Sequence, residues 1–371
     1  MTQAKEVSDV LSRSSKGALQ RLGDSPAWYR LLFFLFAAFF ASVFTAGCRR
    51  EAPAASGVVR AELIRRINLA ELSSPVYRSS SFDQDCQGNL YVASPEHQCI
   101  LVVDTSGTVT QRIGSAGRGP GEFVEPIVVA VAGDSHLIVS DFGLFRISAF
   151  RLSGEFIAAV DFHCTPWLST AGRTVFTTSR DVRRLVDVFD ENLIFRGSVG
   201  SYVLTQPFLR IGSALQCCGG ADTVWVLHTR ITPPEVSVWT LGGRHVARYR
   251  LTPRSMMRNM ALKEAALAAE SKRLGVSGNW QHVDGFVRDV HGRFWVNYLW
   301  LEPRKRIRSV YYVFDSSFQP LFRVEGFSGL TLSPHFDVSG RLWVLEAEAP
   351  VGGEKGDLNI CCYRILGKKE K

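Results

Sequence analysis

The sequence lacks the short patterns by which many enzymes are recognised. It contains no Gly-x-Ser-x-Gly nucleophile elbow and no His-x-x-x-His pair, and these absences argue against an α/β-type hydrolase and against a zinc site on one helix. The glycines from Gly117 to Gly121 precede Phe123 and Pro126 rather than the start of a helix. Since a phosphate-binding loop needs a helix N-terminus after it, this stretch is predicted to be a turn.

The sequence also lacks a strongly charged segment. Charged residues make up 21% of the chain and hydrophobic residues 46%, values that are ordinary for a globular protein and exclude wholesale disorder. The net charge of +8 is spread along the chain instead of being concentrated on one segment. Nucleic-acid binding is therefore not expected.

An apolar stretch without charges, from Leu31 to Ala46, is short for a membrane-spanning helix but fits the apolar region of a signal peptide. It ends in Thr45-Ala46-Gly47-Cys48, which resembles the lipobox of bacterial lipoproteins. The resemblance implies cleavage before Cys48 and lipidation of that residue. The alternative is an uncleaved signal anchor, with the basic N-terminal side in the cytoplasm.

Both alternatives place the rest of the chain outside the cytoplasm, in the periplasm or at the cell surface. The predicted organisation is a signal peptide or membrane anchor at residues 1–47, a short tether at 48–57, and one domain at 58–371.

That domain consists of short β-branched and aromatic runs separated by turn residues, which is typical of many short strands. One unit recurs, a turn containing Asp or Gly followed by a strand. Its anchoring apolar residues are Leu90, Leu137, Val175, Val224, Phe294 and Leu342. All but one of the intervals are close to the roughly 40 to 50 residues of a four-stranded propeller blade. The spacing predicts an all-β fold, a six-bladed β-propeller of four-stranded blades.

The one long interval contains the single helix-favouring stretch, MALKEAALAAESKRL. It predicts an inserted helix at about 253–274, either a lid or a packed element at the rim. The last unit has no fourth strand of its own, and Val58–Ile67 has no other partner. We therefore predict that Val58–Ile67 supplies the outer strand of the last blade.

The stretch Gly114–Phe123, with Asp141 and Arg146 in the next strands, resembles the NHL-repeat superfamily and the bacterial six-bladed propeller lipoproteins related to it. The resemblance implies the fold, but functions in that superfamily range from protein or nucleic-acid binding to lyase and lactonase chemistry. Asp141 and Arg146 are expected to form an ion pair that fixes the hairpin.

Aromatic and basic residues outside the repeat are the best candidates for a binding face, because exposed Trp and Arg are common interface anchors. The predicted face comprises His97, Trp167, Arg183, Trp280, His282, Trp300, Arg304 and Arg306. Together with the tether, it favours a non-catalytic binding propeller, without a cofactor, whose partner is a protein, peptide or glycan at the cell envelope.

The alternative is a metal-dependent hydrolase or lyase, lactonase-like, with Ca²⁺ or Zn²⁺ in the central channel. Its candidate ligands are His282, Asp284 and His335, and His282 and Asp284 would face the same way in a strand. The cysteines other than Cys48 are expected to be mostly buried free thiols, because Cys86 and Cys99 lie at opposite ends of a strand.

Overall fold

The computed structural model describes residues 57–79, 81–162, 167–181, 183–201, 215–220, 222–229, 234–253, 283–301, 307–347 and 358–366. Within these residues, four antiparallel sheets have four strands each, and one eight-stranded sheet comprises two further four-stranded blades. The innermost strands of successive blades contact one another in a closed ring. This architecture is a six-bladed β-propeller, as the repeat spacing predicts.

The chain enters through β1 (Val58–Asn68), which is followed by one turn of 3₁₀-helix at Leu69–Glu71. Blade one contains β2 (Phe82–Gln84), β3 (Leu90–Ser94), β4 (Cys99–Val103) and β5 (Val109–Ile113). The connection to the next blade forms a two-stranded pair, β6 (Ser115–Ala116) with β7 (Glu122–Phe123). Blade two contains β8 (Pro126–Ala132), β9 (His136–Asp141), β10 (Arg146–Arg151) and β11 (Phe156–Asp161).

Blade three contains β12 (Leu168–Ala171), β13 (Thr174–Thr178), β14 (Arg184–Asp190) and β15 (Phe195–Ser201). Blade four contains β16 (Leu215–Gly219), β17 (Thr223–His228), β18 (Glu235–Thr240) and β19 (His245–Arg250). Blade five contains β20 (Val283–Arg288), β21 (Phe294–Leu301), β22 (Ile307–Phe314) and β23 (Pro320–Glu325). Blade six contains β24 (Leu330–Phe336), β25 (Leu342–Ala347) and β26 (Leu358–Ile365), and it takes β1 as its fourth strand.

The strand β1 closes the ring. Its residues Ala61 to Asn68 pair antiparallel with Ile365 to Asn359 of β26, which confirms the predicted outer strand. The pairing of its first three residues, Val58 to Arg60, was not indicated by the sequence. They pair in parallel with Arg323 to Glu325 of β23, so β1 also joins blade five to blade six.

The hydrophobic core is divided among the interfaces between neighbouring blades. Between blades one and two, for example, Tyr91 and Ile100 pack with Val139 and Phe150. Of the aromatic positions that recur in the repeat, Tyr91, Phe176, Trp295 and Trp343 are buried, whereas Trp225 is only partly buried. Burial of each side chain of this size stabilises the folded state by roughly 1.5 to 3 kcal/mol. Neighbouring blades are therefore held together mainly by apolar packing.

A repeated aspartate explains why the turn before the second strand recurs in the sequence. The Oδ1 of Asp289 accepts hydrogen bonds from the amides of His291 and Arg293, while its Oδ2 accepts from Arg293 Nε at 2.6 Å and Trp295 Nε1 at 2.8 Å. In blade six, Asp337 makes the same set of bonds, with Trp343 in place of Trp295. One carboxylate therefore shapes the turn and also orients a core tryptophan.

The two ends of the propeller differ. One end, which we call the short-turn face, carries the turns that join strands one and two and strands three and four, such as 85–89, 289–293 and 337–341. The other end, the connection face, carries the links between strands two and three and between successive blades. Because β1 runs antiparallel to β26, the chain enters β1 at the short-turn face.

The predicted helix at 253–274 lies outside the described residues apart from Pro253, and the segment 1–56 is outside them entirely. Within the described part of the chain, no helix has the length and apolarity needed to cross a bilayer. Cys99, Cys361 and Cys362 are buried free thiols, as expected, but Cys86 is exposed.

Acid is expected to destabilise the propeller through His228. This side chain is buried, its Nε2 lies 2.8 Å from Ser237 Oγ, and burial lowers the pKa of His228 to about 4. The unfolded chain takes up a proton below a pKa of about 6.5, so stability falls as the pH drops from 6.5 towards 4.

Chemical denaturation should show that the wild-type chain loses about 2 to 3 kcal/mol more than His228→Gln between pH 7 and pH 4.5. The exposed His245 supplies the control, since His245→Gln should keep the wild-type slope. Identical pH slopes for wild type and His228→Gln would contradict this account of the residue.

Candidate functional site

A cavity of about 1050 Å³ runs along the propeller axis, and all six inner strands contribute to its wall. This volume is at the upper end of the range for small-molecule sites. Its wall includes the polar side chains of Asp83 in β2 and of Ser333 and His335 in β24.

The strand β24 is distorted where it lines the channel. Its pairing with β25 shifts register between Leu332 and His335. Ser333, which lies inside this bulge and precedes Pro334, has a φ of 47°, a left-handed conformation that costs a non-glycine residue about 1 to 3 kcal/mol. Ser333 Oγ donates to the carbonyl oxygen of Phe82, 3.1 Å away on blade one, and this bond helps to hold the bulge. Such bulges commonly re-aim a side chain at a functional site.

The side chain that follows the bulge is His335. Its ring packs edge-on against Phe82, with 5.0 Å between ring centroids. Both ring nitrogens are buried, and neither has a hydrogen-bond partner among the described residues. Burial lowers the pKa of His335 although Asp83 and Asp337 oppose the shift, so the ring is neutral at pH 7. The ring of this channel-lining residue therefore carries one hydrogen-bond donor and one acceptor.

Asp83 is an acidic neighbour of His335. Its Oδ2 accepts a hydrogen bond from the Val131 amide of blade two at 2.7 Å, and its Oδ1 accepts from the Gln84 amide at 2.8 Å. Burial raises the pKa of Asp83, while His335 and the two amide donors act against that rise. Asp83 is therefore both a link between two inner strands and the nearest titratable group to His335.

Three of the predicted binding-face residues have described side chains. Trp167 lines the central cavity. His97 is half-buried in the turn after β3, where its Nδ1 lies 2.8 Å from Ser94 Oγ. Arg183 is exposed in the turn before β14 and pairs with Asp181 at 3.3 Å. Trp167 thus shares the cavity with His335, whereas His97 and Arg183 are on the connection face but not in the cavity wall.

The other predicted positions cannot be placed. Trp280, His282, Arg304, Arg306 and Cys48 lie outside the described residues, and the side chains of Trp300 and Asp284 are also outside that set. Of the three proposed metal ligands, only His335 is described. Within the described ranges, no three His, Cys, Asp or Glu side chains converge as a metal site.

Asp141 and Arg146 do not form the expected ion pair among the described contacts. Although they are cross-strand partners, each binds backbone of the connection between blades one and two. Asp141 accepts from the amides of Val124 and Glu125, and Arg146 donates to the carbonyl oxygens of Arg118, Gly119 and Glu122. Both charged side chains are therefore bound by backbone groups of this connection and not by each other.

A family model described as a 6-bladed beta-propeller matches residues 84–180, from the end of β2 to the turn after β13. The chain is a propeller by sequence as well as by structure. No curated protein matches it significantly. The match covers too little of the chain to assign it to that one family.

Solved structures also resemble this chain in fold. Virginiamycin B lyase from Staphylococcus aureus is 10% identical, with a TM-score of 0.51, and the alignment covers 81% of this chain and 99% of the lyase. A Bacteroides fragilis protein described as exported is also 10% identical with a TM-score of 0.51, and the alignment covers 83% of this chain and 96% of the other. At this identity the similarity establishes the propeller fold and no activity.

Proposed function

We propose that this protein is an exported, membrane-tethered binding propeller that takes a small polar ligand into its central channel. The observation that carries the proposal is His335, which lines a cavity of about 1050 Å³ and whose two buried ring nitrogens have no partner among the described residues. A buried polar group without a partner costs about 1 to 3 kcal/mol. Retention of such a group on a strained bulge is the pattern expected where a ligand completes the hydrogen bonds.

The chemistry of the wall suggests the class of ligand. A neutral imidazole with one donor and one acceptor suits hydroxyl or amide groups, and Phe82 and Trp167 add aromatic surface. Such groups occur together in glycans and in short peptides. We therefore propose a glycan or peptide of the cell envelope as the ligand, with the propeller held outside the cytoplasm by residues 1–57.

Native mass spectrometry of protein extracted from its own envelope tests the proposal. Wild-type protein should carry a bound small molecule, and His335→Phe should lose at least nine-tenths of it. His245→Phe, a change of the same size at an exposed site outside the cavity, should retain it.

Stability separates ligand binding from a purely structural role. Since Phe removes two unpaired nitrogens, ligand-free His335→Phe should be as stable as ligand-free wild type, or up to about 2 kcal/mol more stable. A variant that is destabilised by more than 2 kcal/mol, or that keeps the bound molecule, would contradict the proposal.

A further inference from the structure

We propose that the short-turn face of blades five and six rests on the surface of an anionic phospholipid bilayer. The inference rests on the proposed tether and concerns a surface remote from the connection face. It begins with the point at which the chain enters the fold. Gly57 and Val58 pair with Arg323 of β23, and Val59 lines one groove together with the short turns of blades five and six, so the chain enters the domain beside those turns. An extended tether from Cys48 to this point spans no more than about 35 Å. A membrane anchor before residue 58 therefore keeps this face near the bilayer.

The exposed apolar residues around this entry point form a coherent set. Val338, 84% exposed, and Val290, 56% exposed, are in the turns of blades six and five. These turns are adjacent, because a Cβ built on Gly340 would lie 3.3 Å from Val290 Cγ2. Val58 and Leu366, where the chain enters and leaves the last blade, are exposed as well. Apolar side chains at turn tips suit insertion into the interfacial layer of a membrane.

Arginines surround these apolar tips. Arg341 and Arg293 form ion pairs with the buried carboxylates of Asp337 and Asp289, and the two arginine side chains are themselves partly exposed. Arg60 is exposed on β1. Arg364 is largely exposed, with Glu62 3.9 Å away. Three of these arginines are paired with carboxylates, whereas Arg60 has no ion-pair partner among the described residues. Each arginine near an anionic membrane surface contributes about 1 kcal/mol of attraction.

A groove of about 760 Å³ lies between the two blades in this sector. Val59, Trp295 and Phe322 contribute to its apolar wall, and Arg341 and Arg364 lie at its edge. An apolar groove with a basic edge matches an amphiphile with an anionic head. Charge, apolar tips and the point of chain entry thus favour the same occupant, an anionic phospholipid in the bilayer that holds the anchor. In this orientation the connection face points away from the membrane.

Quenching by brominated lipid measures the contact. The membrane-extracted full chain would be placed in nanodiscs that contain phosphatidylglycerol and a dibrominated phosphatidylcholine. Because the chain already has eight tryptophans, each reading is the difference between a variant and wild type. The added tryptophan of Val338→Trp should lose at least half of its fluorescence. That of Phe142→Trp, at an exposed position on the connection face, should lose less than a tenth.

The charge contribution has its own readout. The double variant Arg60→Gln with Arg364→Gln, made in the Val338→Trp background, should at least halve the quenching, as should 0.5 M NaCl. Equal quenching at positions 338 and 142, or stronger quenching at 142, would overturn the docking surface while leaving the tether in place. Recovery of the wild-type chain outside the discs would overturn the tether and this surface with it, whereas the channel ligand is measured separately.

Discussion

Replacing Ile67 by aspartate is expected to destabilise the propeller by about 4 to 5 kcal/mol. Ile67 is 7% exposed and lies in the cluster that joins blade six to blade one, opposite Ile360 of β26. The change removes a buried side chain, which costs about 2 to 5 kcal/mol, and it adds a carboxylate to an apolar site. Since β1 is the only strand that joins the beginning of the domain to its last sheet among those described, its loss opens the ring.

The same strand supplies the control. Ile64 is 41% exposed, so Ile64→Asp should change stability by no more than about 0.5 kcal/mol. Urea titration followed by tryptophan fluorescence gives the stability of each variant. The unfolding midpoint of Ile67→Asp should be far below those of wild type and Ile64→Asp. Equal midpoints for the two variants would show that β1 does not close the ring.

Asp289→Asn is expected to cost about 3 kcal/mol. The asparagine can still accept from the amides of His291 and Arg293 through its oxygen. Its NH₂ group, however, would face two further donors, Arg293 Nε and Trp295 Nε1, and all of these groups are largely buried. A buried charged donor that loses its partner costs more than a neutral one.

Asp315 makes a matched control in the same blade. Its Oδ1 accepts from the amides of Ser317 and Gln319 and from Ser317 Oγ, and no donor to its other oxygen is described. Asp315→Asn should therefore cost less than about 1 kcal/mol. Thermal melting of the two variants checks the difference, and similar melting temperatures would mean that the tryptophan bond contributes little.

The blade count and the closing strand could be predicted from the sequence because both depend on a repeated local pattern. The turn before each second strand is local, and in blades one, five and six it is built on an aspartate, Asp85, Asp289 or Asp337. Each turn is followed by an apolar residue at a fixed point in its blade. The parallel pairing of Val58 to Arg60 with blade five could not be predicted, since it depends on how far β1 extends beyond its partner in blade six. The ion pair expected from Asp141 and Arg146 was wrong for a related reason, because the folded connection offers backbone partners that strand pairing alone does not reveal.

The candidate site was predicted only in part. His335 could be named because histidines are few, but its environment depends on a bulge at Ser333 and on Phe82 from a different blade. The sequence analysis did not name Asp83 as a site residue. Its position two residues before the repeated turn aspartate Asp85 could have placed it in the inner strand. The one available signal for the bulge was Pro334, since proline inside a strand marks a break in pairing.

The most direct test of the channel is a structure of the protein extracted from its own envelope, at a resolution that shows bound molecules. The account predicts density for a small polar molecule in the channel, with a hydrogen-bonding atom within about 3.2 Å of Nδ1 or Nε2 of His335. A channel that holds only water around His335, or a ring whose two nitrogens bond to other residues of the chain, would contradict it.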